Sequence, residues 1–235
     1  MKKSTSLTLS LAAISLLSSA NLVSGDEKQT AAAHPDTTAW EPLFTEDLSN
    51  ADTKAGVWSI KDGVLTANAD EAIWSKVDFK NFQLDLEFKT ADGTNSGVVV
   101  YATDTKNWIP NSVEIQIADD YSDKWGKADK KWQCAAIFGR KEASEQKLVK
   151  KPGEWNRMTV TCRGPKITVA LNGKTVTDVD MKQWTDAKTN PDGTQIPEWL
   201  NKPMATMATQ GKVGLQGKHA DATIFYRNIR IKAEK

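Results

Sequence analysis

Soft metal ligands are scarce in this chain: two histidines, His34 and His219, and two cysteines, Cys134 and Cys162, among 235 residues. Two cysteines and one histidine in the body of the sequence do not make a recognisable structural zinc site. In an oxidising compartment the cysteines can form one disulfide; otherwise they are two small buried hydrophobes, and their positions do not decide which. Excess charge is missing as well. Thirty-one Lys and Arg oppose thirty Asp and Glu, which leaves +1 and gives no electrostatic case for nucleic acid or an anionic membrane as partner. A long apolar run occurs only near the start, from Leu7 to Leu17. Lys2 and Lys3 precede it, and small residues follow around Ser18-Ser19-Ala20 and Val23-Ser24-Gly25. That pattern predicts a cleaved export signal over residues 1–25, too short to remain as a membrane span. Its removal takes away two lysines and no acid, so the formal charge becomes −1. The mature protein is therefore expected to be periplasmic or extracellular, and neutral, hydroxyl-rich ligands such as sugars suit its charge balance.

Helical periodicity is the other absence. No stretch keeps a 3.6-residue pattern for longer than about a dozen residues. Residues 26–39 are polar and alanine-rich and read as a flexible linker, with His34 solvated. From Trp40 to the end, residues 40–235 read as one domain of alternating strands. In NFQLDLEFKT, Phe82, Leu84, Leu86 and Phe88 face one way while Gln83, Asp85, Glu87 and Lys89 face the other. In SVEIQIADD, Val113, Ile115 and Ile117 alternate with Glu114 and Gln116. Further strands are expected at SGVVVYAT, CAAIFGR, RMTVTCRG, KITVALNG, KTVTDV, KVGLQG and ATIFYRNIRIK. Hairpins should turn at Asp62-Gly63 and Asn172-Gly173. Roughly ten short antiparallel strands predict an all-β fold, an antiparallel β-sandwich of the jelly-roll type. Two long insertions, 119–133 and 181–210, have the length of binding loops.

The alternation isolates a candidate site. If Val113, Ile115 and Ile117 pack between the sheets, Glu114 and Gln116 project from the outer face. Asp119 then sits at the strand's exit. Asn95 begins a neighbouring strand and shares a face with Val99 and Tyr101. Gln216, Lys218 and His219 interrupt the alternation of the C-terminal segment. A carboxylate, amides, an imidazole and an aromatic are the ingredients of a carbohydrate site. Each residue also has a plainer reading as an exposed strand or turn position. Strict alternation puts Arg227 on the face of Phe225 and Ile229, so it should pair with an acid or lie at a bulge, as a structural anchor. Of nine tryptophans, Trp40, Trp58, Trp74 and Trp155 are expected in the core. Trp108, Trp125, Trp132, Trp184 and Trp199 lie in loops, where one or two should touch ligand.

WEPLFTEDLS, NSGVVVY, NSVEIQIADD, KPGEWNRMTV, LNGK and GLQGKHADATIFYRNIRIK follow in that order over Trp40 to Lys232. In this the chain resembles the 3-keto-disaccharide hydrolase family. The resemblance implies a concanavalin A-like lectin/glucanase jelly roll that cleaves glycosides already oxidised to a ketone at sugar C3. It implies catalytic roles for Glu114 and His219, and substrate contacts for Asn95, Gln116, Asp119, Gln216 and Lys218. Family members usually carry glycine after the histidine, where this chain has Ala220. A C3 ketone acidifies the proton on C2, so one base, an enolate stabiliser and an acid suffice in place of the usual two glycosidase carboxylates. Lys218 or a divalent cation could serve as the stabiliser, although the residue spacing matches no metal-ligand motif. The alternatives are a carbohydrate-binding module without turnover, since the same fold hosts both, and an endo-glucanase. The latter lacks its E-x-D-x-x-E carboxylate ladder here.

Overall fold

A computed structural model describes Met1, residues 34–219 and residues 222–234. The chain divides into Met1–Ala31 and Ala32–Lys235, and the fold belongs to the second unit. The expected leader and most of the expected linker fall outside the described residues. No helix among the described residues is long and apolar enough to cross a membrane.

The strands in chain order begin with β1 (Glu41–Pro42), β2 (Ala51–Asp52), β3 (Trp58–Lys61) and β4 (Val64–Ala67). They continue with β5 (Ile73–Ser75), β6 (Phe82–Thr90), β7 (Asn95–Ala102) and β8 (Val113–Ala118). The last are β9 (Trp155–Arg163), β10 (Lys166–Leu171), β11 (Lys174–Asp180), β12 (Lys212–Leu215) and β13 (Ile224–Ala233). One antiparallel sheet runs β11-β10-β9-β6-β13-β4-β3, with β1 on β13; the other runs β2-β5-β12-β7-β8. The two sheets form the expected β-sandwich.

The alternation in β6 buries Phe82, Leu84, Leu86 and Phe88 completely, each contributing about 1.5–3 kcal/mol of apolar transfer. Val98 and Val100 of β7 and Ile115 and Ile117 of β8 join the same core. Both predicted hairpins form. Lys61 pairs with Val64 and Leu171 with Lys174, and all four central residues have positive φ, as two-residue type I′ turns require.

Several expectations fail for local reasons. CAAIFGR is not a regular strand. Ala135 and Gly139 have positive φ, so the segment only borders β8, through bonds such as Phe138 N–H to the Glu114 carbonyl at 3.0 Å. Of the two readings left open for the cysteines, Cys134 and Cys162 take the second: both are buried and unbridged. Trp155 is half-buried on the outer face of the larger sheet, where the Arg227 guanidinium stacks on its ring at 4.0 Å. Arg227 meets both conditions set for it. Its Nε donates to Glu87 Oε2 at 2.5 Å, and the register against β6 shifts just beyond it, where Asn228 has φ +52°. The inward residues there are Ile224 and Tyr226, so Phe225 and Arg227 share the outer face.

His34 is not solvated. Gly173 N–H donates to its Nε2 at 2.8 Å, and its Nδ1 donates to Thr159 Oγ1 at 2.8 Å. Thr159 in turn donates to buried Asp85. Burial, with the nearby Arg157 charge, holds the imidazole below its ordinary range. The described end of the polar segment is thus fastened to the larger sheet, opposite the face that carries the site.

Candidate functional site on the outer face of the smaller sheet

The smaller sheet packs one face on the core and turns the other toward three loops. On that outer face lies a cavity of about 490 Å³, within the size range of small-molecule sites. Asn95, Glu114, Gln116, Gln216 and His219 all line it. Trp125 and Trp132 from the first long insertion, Trp199 from the second, and Trp108 wall it. Four of the five loop tryptophans therefore reach the cavity, more than expected. The fifth, Trp184, is buried and donates its indole N–H to Asn190 at 2.8 Å.

The motif NSG supplies three consecutive functions, because successive residues of a strand point to opposite faces. Asn95 faces the cavity and accepts a hydrogen bond from Gln116 Nε2 at 2.9 Å. Ser96 faces the core, donating to the Gln216 carbonyl at 2.7 Å and accepting from the Tyr226 hydroxyl at 2.8 Å. Gly97 faces outward again, directly beneath Glu114. A Cβ there would lie 2.3 Å from Glu114 Oε1, so only glycine leaves room for the carboxyl to lie against the sheet. Gly214 plays the same part for Trp74, whose ring lies across it and meets Trp108 edge-on at 6.0 Å.

Two predictions follow from these contacts. Gly97→Ala should displace the Glu114 carboxyl, visible in a crystal structure of the variant, with the melting temperature little changed. Ser96→Ala should leave the Tyr226 hydroxyl and the Gln216 carbonyl without their partner, costing about 1–3 kcal/mol in denaturant unfolding.

Glu114 makes no hydrogen bond through its carboxyl among the described residues. Burial pushes that carboxyl up to about 8, since a charge removed from water without a partner favours its neutral form. The residue keeps some exposed surface and lines the cavity together with the loop tryptophans. Gln116 is fully buried, and its Oε1 has no partner; neither has the buried Oε1 of Gln216. Buried amide oxygens are almost always bonded, so two unpaired ones on a cavity wall suit ligand hydroxyl donors.

His219 Nδ1 lies 2.6 Å from Asp70 Oδ2. With the Nδ1 proton donated to that carboxylate, Nε2 keeps its lone pair, the arrangement that prepares an imidazole to accept a proton. Asp70 was not foreseen from the sequence. It lies between β4 and β5, 149 residues from His219, in no recognised motif.

Three expected site residues are elsewhere. Tyr101 turns into the core with φ +59°, and its hydroxyl donates to the Gly164 carbonyl at 2.8 Å. The cause is a bulge: two steps along β12, from Lys212 to Gly214, span three along β7, from Ala102 to Val99. Asp119 is buried and serves a turn, accepting from Gly93 N–H at 2.9 Å and Tyr121 N–H at 3.1 Å. Lys218 is not among the cavity-lining residues; its backbone N–H donates to the Ala69 carbonyl at 3.0 Å. No cluster of three or more His, Cys, Asp or Glu able to hold a metal exists among the described residues.

The sequence profile of the 3-keto-alpha-glucoside-1,2-lyase-like domain matches residues 35–232. The chain belongs to that family. The family expected from the ordered motifs is thereby shown. A curated relative, the 3-keto-disaccharide hydrolase of Bacteroides thetaiotaomicron, is 28% identical over 207 residues, covering 74% of this chain and 69% of the relative. A crystal structure of a candidate glycosyl hydrolase from Parabacteroides distasonis is 57% identical, with a TM-score of 0.82 over 83% of this chain and 99% of that one. A Bacillus licheniformis β-glucanase, 12% identical over 83% of this chain and 97% of that one, has a TM-score of 0.50. It shares the fold alone, and it supports the jelly-roll assignment.

Proposed function

We propose that this family member is a hydrolase of 3-keto-glycosides that works by elimination and rehydration. The observation that carries the reading is the convergence of Glu114, Gln116, Asn95, Gln216 and His219 in one indole-walled cavity. Indoles offer flat apolar faces for a sugar ring, and the amides offer acceptors and donors for its hydroxyls. Family membership supports the keto-sugar substrate.

The Asp70 contact of His219 and the burial of Glu114 separate their roles. His219, held by Asp70, takes the C2 proton on Nε2, and the C2–H electrons move toward the C3 carbonyl oxygen as an enolate. Glu114, neutral in its desolvated wall up to about pH 8, donates a hydrogen bond to that oxygen. The enolate then re-forms the ketone and pushes electrons to C1, where the C1–O bond breaks. His219 delivers its proton to the departing oxygen. Water adds across the resulting C1–C2 double bond, hydroxyl to C1 and proton to C2, and the net reaction is hydrolysis. The leader pattern makes this an exported enzyme; N-terminal sequencing of protein from fractionated cells should find the mature chain starting near Asp26.

The direct test is incubation with a 3-keto-glucoside and with the same glucoside unoxidised. Reducing sugar should appear only from the keto substrate. Binding of either sugar without release would support the alternative, a carbohydrate-binding module, which the tryptophan-lined cavity also suits.

A further inference from the structure

A second cavity, of about 350 Å³, adjoins the first and shares Trp108 and Gln216 with it. Its remaining wall is polar: Asp70, Glu71, Thr105 and Lys106, with Ala72 and Trp74 behind. The two cavities differ in chemistry. The first is walled by four indoles and Phe138, whereas the second presents two carboxylates, a lysine and a hydroxyl. They are also joined by the acid–base pair, because His219 lines the first and its partner Asp70 lines the second. The buried, unpartnered Oε1 belongs to Gln216, one of the two residues of the shared wall.

We infer that the second cavity is the subsite for the leaving-group sugar, so that the scissile bond crosses the Trp108–Gln216 wall beside His219. The inference rests on the 3-keto-glycoside reading and assigns the half of the substrate that reading leaves open. The oxidised ring lies against the indoles. The departing ring is a second, unoxidised pyranose whose hydroxyls meet Thr105, Lys106 and Glu71. Gln216 Oε1 accepts a hydroxyl near the junction. His219, between the cavities, is then beside the glycosidic oxygen it protonates as the C1–O bond breaks. The Glu71 carboxylate accepts from Lys54 Nζ at 3.0 Å and is itself partly exposed, which leaves it open as an acceptor for that ring.

The test compares a 3-keto-disaccharide with a methyl 3-keto-glucoside, which has no second ring, using wild type, Thr105→Trp and Lys106→Ala. Thr105 and Lys106 lie in the exposed segment between β7 and β8, and circular dichroism and thermal melts verify the fold of each variant. The ratio of kcat/KM for the disaccharide to that for the methyl glycoside should fall tenfold or more in Thr105→Trp, and severalfold in Lys106→Ala. A ratio within twofold of wild type in both folded variants overturns the subsite while leaving the hydrolase reading intact. Wild type that cleaves neither substrate overturns the hydrolase reading and the subsite with it.

Discussion

His219→Ala should lower kcat for a 3-keto-glucoside by about 10²- to 10⁴-fold, the usual share of a positioned acid–base group. The imidazole has two duties in the proposed sequence, accepting from C2 and donating to the leaving oxygen, so its removal touches both steps. Asp70→Asn should cause a smaller loss and change the pH profile. An amide accepts a hydrogen bond less strongly than a carboxylate and can itself donate to Nδ1, which would put the ring proton on the working nitrogen. Steady-state kinetics across pH on both variants check this. If Asp70→Asn matches wild type at every pH, Asp70 does not position the imidazole.

Glu114→Gln is expected to separate two accounts of the carboxyl. As a neutral donor to the enolate oxygen, Glu114 can be replaced by an amide, which also donates; as a base it cannot. The variant should therefore keep most of its turnover, while Glu114→Ala loses about 10²- to 10³-fold. In wild type, kcat/KM should fall above pH 8 as the carboxyl ionises, and Glu114→Gln should lose that alkaline limb. Stability follows the same proton. The folded carboxyl keeps its proton up to about pH 8, but the unfolded chain releases it near pH ~4.3. The folded state thus binds more protons between these values, and stability falls as pH rises through the window and levels off above 8. Glu114→Gln removes this penalty, on the order of a few kcal/mol at pH 8 and little at pH 5. Thermal melts of both proteins at the two pH values check it. A carboxyl that destabilises its own fold yet fills the site wall fits a functional rather than a structural role.

The sandwich was legible because most strands carry a clean two-residue period. β6 and β8 bury every residue their alternation assigned inward, and the Asn172-Gly173 turn fixes the register of its hairpin. The site was legible where a side chain's face follows from that same period, as for Asn95, Glu114 and Gln116. It was not legible where one extra residue reverses the face. The bulge in β7 sends Tyr101 into the core, and the shift in β13, which lies just beyond Arg227, puts Ile229 against the core instead of on the outer face of Phe225; a single-residue slip flips every side chain after it. Asp70 and His34 were missed for a different reason. Their partners are 149 and 125 residues away, and a local pattern carries no signal for such pairing. Asp119 shows the converse: an acid beside a motif whose carboxylate is spent on backbone N–H groups of its own turn.

The central claim is that cleavage passes through loss of the C2 proton. Turnover of a 3-keto-glucoside in deuterium oxide, stopped early and read by NMR against an enzyme-free control of the keto-sugar product, tests it directly. The account predicts solvent deuterium at C2 of the released sugar from the first turnovers, and no cleavage of the unoxidised glucoside. Release of a product that retains its original hydrogen at C2 without solvent label would contradict elimination and rehydration.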